Sequence, residues 1–323
     1  MTAWTAAVPV EGWGPGGRPA AFLRLEGDGC IGTGESVAWT AEEQALFAER
    51  CPALVPRGRH TVRKLTDAVY SAAGAVYDRA AIEAAALDLA LRQAGTNAFA
   101  LAGLPARPVR YLHSFGVLPD PAAAIRRLRS AAPGACVKLD VDPEWPDDVF
   151  AELSALEGVT VLDFKGRGTP DVVERAQAWL PEALLEDPYQ GTRDEALSTL
   201  AKHLPGRVTL DAPIRAAADL ENLPFTPYAV NVKPARMGSF LEALRTIAAC
   251  GELRIATYVG GMFEVGPGRA QSQVLASLFS AEAWNDVAPL AVAPGEPPSS
   301  SPLEIPFPFT GLGFPPAQTR ASS

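Results

Sequence analysis

Three short apolar runs in the middle of this chain each end on an acidic residue: Asp163 in VTVLDF, Glu186 in EALLEDP and Asp211 in RVTLDAP, standing 23 and 25 residues apart. That interval is about the length of one strand, one helix and two loops. Lysines extend it, since Lys138 in ACVKLD precedes Asp163 by 25 residues and Lys233 in YAVNVKP follows Asp211 by 22. A repeated strand-then-helix unit puts all five at equivalent points. In a parallel barrel of such units the strand C-termini converge on one mouth, so residues distant in sequence become neighbours around one pocket. Three carboxylates gathered there repel one another unless a cation stands between them. A hard divalent ion with oxygen ligands, Mg²⁺ first and Mn²⁺ as its substitute, is the physical inference.

The pattern along the chain supports such a barrel and sets off what precedes it. AAFLRLEGDGCIGTGES reads as two strands about a Gly-Asp-Gly turn, because Ala21, Leu23 and Leu25 alternate with Phe22, Arg24 and Glu26. Helical spacing follows over 41–50, 62–72 and 79–94, the last with Ile82, Ala85, Ala86 and Leu89 in one apolar stripe before Gly95. Residues 1–107 thus read as an α+β capping domain. From there strands are expected at 109–115, 135–140, 159–163, 183–186, 207–211, 228–233 and 253–259, each followed by a helical stretch, with an eighth near 287–292. The fold class is α/β, a modified TIM-type (β/α) barrel over 108–293 with the capping domain in front of it. The Pro- and Ser-rich tail, 294–323, is expected to pack irregularly or stay mobile.

The formal charge of −9 and the lack of any basic run argue against nucleic acid as a partner. Cys30, Cys51, Cys136 and Cys250 are scattered, with no Cys-x-x-Cys pair, so reduced thiols are expected rather than disulfides or zinc. No basic segment leads into an apolar stretch at the N-terminus, and eighteen apolar residues never run together. A soluble, cytoplasmic protein without a membrane partner is the expectation; homo-oligomerisation stays open.

Six segments carry a resemblance to the enolase superfamily, and within it to the muconate-lactonizing-enzyme subgroup with its o-succinylbenzoate synthases and N-acylamino-acid or dipeptide epimerases. VLDFKG, LLEDP and VTLDAPI resemble the strand-three, strand-four and strand-five metal-ligand segments. NVKPARMGSF resembles the strand-six segment with its acid/base lysine. YVGGMFEVGPGRAQSQVLASLF resembles the stretch after strand seven, and AAIEAAALDLALRQAG the last capping helix. The resemblance implies a metal held by Asp163, Glu186 and Asp211, and a Mg²⁺-dependent lyase or isomerase that takes the α-proton of a small carboxylate through a metal-stabilised enediolate. Dehydration of the o-succinylbenzoate synthase kind is the first expectation. Epimerisation of an N-acylated amino acid or dipeptide, or a muconate cycloisomerase-like reaction, is the alternative.

The departures from that pattern matter as much. Where relatives carry Lys-x-Lys on strand two, this chain has Lys138, Leu139, Asp140, and where they carry Asp-x-Asn on strand three it has Asp163, Phe164, Lys165. Side chains alternate along a strand, so Lys138 and Asp140 share a face, as do Asp163 and Lys165 on the next strand. A catalytic lysine moved sideways by one strand is one reading. A structural Asp140–Lys165 ion pair in an inert ligand-binding homologue is the other. The acid/base candidates are Lys233, Lys165, Lys138 and Asp140. His113, as a pocket-lining or core histidine, and Glu264, after strand seven, are the candidates for contact with substrate. The capping loop near 8–18 is expected to set specificity.

Overall fold

The computed structural model describes residues 2–8, 17–72, 75–203, 206–289, 298–299 and 301–315. Three antiparallel strands come first, β1 (Thr2–Val8), β2 (Arg18–Gly27) and β3 (Cys30–Ser36), followed by α1 (Ala41–Leu54), α2 (Val62–Ala72), α3 (Val76–Gln93) and the short α4 (Ala98–Ala102). Parallel strands and helices then alternate: β4 (His113–Phe115), α5 (Pro121–Ala131), β5 (Val137–Asp140), α6 (Asp147–Ser154), β6 (Val159–Asp163), α7 (Pro170–Trp179), β7 (Leu184–Glu186), α8 (Arg193–Lys202) and β8 (Val208–Leu210). A 3₁₀ turn at Ala217–Leu220 leads to β9 (Ala229–Val232), α9 (Pro234–Met237), α10 (Phe240–Glu252), β10 (Ala256–Val259) and α11 (Pro267–Phe279). No helix among the described residues is long and apolar enough to cross a membrane.

The N-terminal sheet forms for the reason its alternation suggests. Ala21, Leu23 and Leu25 are buried against α1 and α3, and Asp28 and Gly29 both take positive φ in the tight turn that joins β2 to β3. Gly34 is required there by contact: a Cβ would drive into the carbonyl oxygen of Ala81, so β3 lies directly on the backbone of α3.

The seven parallel strands lie in sequence order, β4 to β10, as consecutive β-helix-β units require. Where a regular eighth strand would close the curl, the chain makes two isolated parallel bridges, Gly260 to Asp286 and Tyr111 to Asn285. The closing segment is therefore 285–286, earlier than the expected 287–292, of which 290–292 fall outside the described residues. The first strand is also shorter than its apolar run, pairing regularly only from His113, with single bridges at Val109 and Tyr111. The expected specificity loop lies largely outside the described residues, at 9–16. Of the tail, 301–315 pack without a helix or strand, the first of the two expected outcomes: Leu303 pairs with Val109, and Phe307, Phe309 and Phe314 cluster with one another and with Phe99.

Candidate active site

Strand register brings the acids together. Asp140 pairs with Asp163 and Asp163 with Glu186 across β5, β6 and β7, while Asp211 is the first residue past β8. Because alternate residues share a face, the strands also turn Lys138, Thr209, Asn231 and Tyr258 into the barrel and Lys233 onto its rim. Gly260, just beyond β10, leaves the room that Asn231 and the Lys233 stem occupy.

Lys138 dominates the geometry. It lies one strand step deeper than Asp140, is 2 % exposed, and raises its ammonium between two of the three acids, 2.7 Å from Asp163 Oδ2 and 2.5 Å from Glu186 Oε1, with Asp286 Oδ2 at 3.5 Å. Tyr258 Oη donates to Glu186 Oε2 at 2.5 Å, and the Asn231 amide donates to the same carboxylate at 3.3 Å. Asp211 is held by Lys233 Nζ at 2.9 Å and Arg236 Nη1 at 2.6 Å. Lys165, with an exposed side chain, bonds Asp163 and reaches back to Asp140 Oδ1 at 3.2 Å. Its backbone is left-handed at φ 50°, as is that of Asp187 at φ 43°, so two neighbouring strand ends carry conformations that L-residues rarely adopt. The Lys165 N–H donates to Asp163 Oδ1 and fixes the first of these turns, while Asp187 accepts the N–H groups of Asp211 and Ala212.

Charge is not balanced in this cluster. Asp140, Asp163, Glu186, Asp187, Asp211 and Asp286 outnumber Lys138, Lys165, Lys233 and Arg236 by two. The surplus falls on Glu186, whose carboxyl is pushed up to about 8 by burial and by the charge of Asp163 and Asp211. Asp187 is pushed up to about 6 by burial and by Asp211. Burial also opposes the charge of Asp163, but Lys138 and Lys165 outweigh it and hold that carboxyl well below its ordinary range. Asp163 and Glu186 share one ammonium and move in opposite directions, because Asp163 is also bonded directly by Lys165, whereas for Glu186 burial and the charges of Asp163 and Asp211 outweigh Lys138 and Lys233. On Lys165, whose ammonium is partly desolvated among the acids although its side chain is exposed, that desolvation and the Lys138 ammonium act to lower the pKa, and the surrounding carboxylates overcome both to leave it raised.

The donor set suits a hard divalent ion in type and in charge. It offers three acidic side chains at adjacent strand ends, two more acids than cations in the cluster, and the Asn231 Oδ1 oxygen, which is buried without a hydrogen-bond partner. Asp163, Glu186 and Asp211 are the residues that would hold the ion. Lys138 fills the position between the first two, and among the described residues no three acidic, histidine or cysteine side chains stand as a ready metal cage.

Two sequence candidates lie away from this cluster. Ser114 rather than His113 faces the mouth, bonding Asp286 at 2.6 Å, while His113 packs edge-on against Tyr111. The phase of alternation along β4 decides between them. Glu264 accepts the Met262 N–H and pairs with Arg269, stabilising its own loop near Glu35. Asn231, Tyr258, Asp286, Arg236 and Asp187 belong to the cluster and were missed. Asn231 could have been found, two residues before Lys233 on the same face. A cavity of about 190 Å³ beside Ile31, Arg92 and Phe314 and one of about 370 Å³ beside Leu220 and Phe225 both lie away from the cluster.

Comparison with known proteins matches this chain to a family. Residues 16–100 match the N-terminal and 105–293 the C-terminal model of the family described as domain of unknown function DUF8230. An N-succinylamino acid racemase from an Amycolatopsis species is 32 % identical over 157 residues, which cover 44 % of this chain and 40 % of that protein. An o-succinylbenzoate synthase from Bacillus subtilis is 35 % identical over 101 residues, 29 % of this chain and 26 % of the relative. The chain thus aligns with less than half the length of either. Among solved structures, a dipeptide epimerase from Enterococcus faecalis superposes with a TM-score of 0.79 at 20 % identity, covering 96 % of this chain and 97 % of the other. Structures described as enolase-superfamily members, from Enterococcus faecalis and Listeria innocua, superpose with TM-scores of 0.71 and 0.74 at 20 % identity, each covering 88 % of this chain and 84 % of the other. The chain belongs to the DUF8230 family, and its fold is that of solved enolase-superfamily proteins.

Proposed function

We propose that this chain is a lyase or isomerase that removes the proton α to the carboxylate of a small acid, with dehydration of the o-succinylbenzoate synthase kind as its first reaction and N-acylamino-acid or dipeptide epimerisation as the alternative. One observation carries the reading. The row of carboxylates has a lysine at each end, Lys165 on Asp163 and Lys233 on Asp211, and Lys165 reaches to Asp140, the position from which the strand-two lysine is missing. The shifted lysine thus returns a positive charge to the strand it left.

An α-proton beside a carboxylate is too weakly acidic for a side chain to remove at neutral pH unless the developing charge is met by positive groups. Mg²⁺ or Mn²⁺ held by Asp163, Glu186 and Asp211 would supply Lewis-acid stabilisation of that charge. Lys233, buried on one flank, is the base and takes the proton as a neutral amine, having first released its own proton to solvent. Lys165, kept protonated by Asp163 and Asp140, gives a proton to the departing group from the other flank and moves aside to admit substrate, being the exposed member of the cluster.

The test is exchange of α-protons into deuterated solvent over a panel of small carboxylates, including N-acylamino acids. Wild type exchanges at least one, and Lys233→Ala lowers that rate by at least about 10²-fold. A second reading, a binding homologue without turnover, is favoured by the way Lys138 and Lys165 occupy the carboxylates themselves. A folded wild type that exchanges nothing on the panel would select it.

A further inference from the structure

We infer that Lys138 is a built-in competitor of the metal ion, an ammonium that closes Asp163 and Glu186 on themselves so that a divalent cation binds only after this side chain has left. The inference rests on the reading of Asp163, Glu186 and Asp211 as the ion's ligands.

Three features of the cluster carry it. First, the ammonium has three N–H donors and three carboxylates around it, Asp163 and Glu186 in close contact and Asp286 at 3.5 Å. Second, all six oxygens of the three ligands already face a positive or donor group. On Asp163, Oδ1 takes the Lys165 N–H, and Oδ2 takes Lys138 and Lys165. On Glu186, Oε1 takes Lys138 and Oε2 takes Tyr258. On Asp211, Oδ1 faces Arg236 and Oδ2 takes Lys233. Third, an ammonium between carboxylates holds their oxygens 2.5–2.7 Å from its nitrogen, whereas a Mg²⁺ cage draws oxygens to about 2.0–2.1 Å of its centre. The two occupants need different spacings of the same two acids and cannot share the position.

The displaced side chain has somewhere to go. Asp286 lies 3.5 Å from the ammonium on the side away from β7 and is steadied by Ser114 Oγ at 2.6 Å. Swinging to Asp286 keeps Lys138 paired while freeing Asp163 and Glu186. Ion uptake is then an exchange of one internal cation for another, and its affinity is set by Lys138 as much as by the ligands.

Calorimetric titration of Mn²⁺ into substrate-free protein tests this, with free Mn²⁺ counted independently by its paramagnetic resonance signal. Lys138→Met should bind Mn²⁺ at least about tenfold more tightly than wild type, since it removes a like charge within a few ångströms. Lys138→Gln, which keeps a polar head among the carboxylates, provides the same comparison if the methionine variant does not fold. The gain should vanish when Glu186→Gln is added. Affinity in both Lys138 variants equal to or weaker than that of wild type overturns the inference and leaves the ligand assignment standing. No Mn²⁺ binding in wild type or in either variant overturns both. Proton exchange on the carboxylate panel is a separate readout, so failure of the proposed activity stays distinguishable from either outcome.

Discussion

Glu35 is the point where the N-terminal sheet grips the barrel, and neutralising it should change how stability depends on pH. Its carboxylate, on β3, accepts N–H groups from Val265 at 2.6 Å, Gly266 at 2.9 Å and Gly268 at 3.1 Å, at the start of α11. A helix N-terminus favours an anion, yet burial and the neighbouring Glu264 carboxylate push Glu35 up from 4.5 to about 7. Between those values the folded protein holds a proton that the unfolded chain has released, so the contribution of this group to stability falls as pH rises through the window. A shift of that size corresponds to ~3 kcal/mol, at 1.36 kcal/mol per unit. Glu35→Gln cannot titrate, but its amide leaves at least one of the three donors without an acceptor, at a cost of about 1–3 kcal/mol. Wild type should therefore be the more stable at pH 5, by roughly that cost, and the advantage should shrink by ~3 kcal/mol and reach zero or reverse at pH 8. Urea unfolding of both proteins at the two pH values, followed by tryptophan fluorescence, measures the difference, and other titrating groups cancel in it. A difference that is the same at pH 5 and pH 8 would refute the reasoning.

Lys165→Met should lower α-proton exchange by at least about 10²-fold while the variant stays folded by circular dichroism; undiminished exchange would assign Lys165 to structure. Saturating Mn²⁺ should raise the thermal midpoint of wild type, and Glu186→Gln should abolish the rise, because only a cation that binds the folded state preferentially stabilises it. A midpoint that Glu186→Gln leaves equally responsive would move the ion elsewhere. Gly34→Ala should cost about 1–3 kcal/mol in a denaturant melt, since the new methyl group must push β3 off the carbonyl of Ala81. A neutral substitution would mean that β3 and α3 are not in backbone contact.

What could be read in the sequence followed from repetition. Equal spacing identified Asp163, Glu186 and Asp211 because every β-helix-β unit presents its strand end at the same height, and the register Asp163 to Glu186 has that origin. Where repetition failed, so did legibility. Asp286 was invisible because the eighth strand is reduced to single bridges and carries no apolar run that ends on the acid. Ser114 went unnoticed beside His113 because the regular strand there is only three residues long, too short to reveal which phase of its alternation faces inward. The shared face of Lys138 and Asp140 was clear, but a lysine stem is long enough to reach several neighbours. That it rises to Asp163 and Glu186 is decided by charges from three other strands, which no local pattern records.

The packed segment after the barrel bears on the time course of folding. Leu312 N–H donates to the buried Asp88 carboxylate and Asn97 donates to the Phe309 carbonyl, joining residues 224 and 212 positions apart. Phe99 completes its aromatic cluster only with Phe307 and Phe309. At ordinary rates of synthesis, on the order of 10–40 s separates the emergence of Asp88 from that of Leu312. Throughout that interval the end of α3 and the whole of α4 expose an apolar ring and part of an acceptor carboxylate that nothing yet covers. The seam between the N-terminal layer and the barrel must therefore be among the last parts of the molecule to close, and a nascent chain stalled inside the barrel would present it to chaperones and proteases alike.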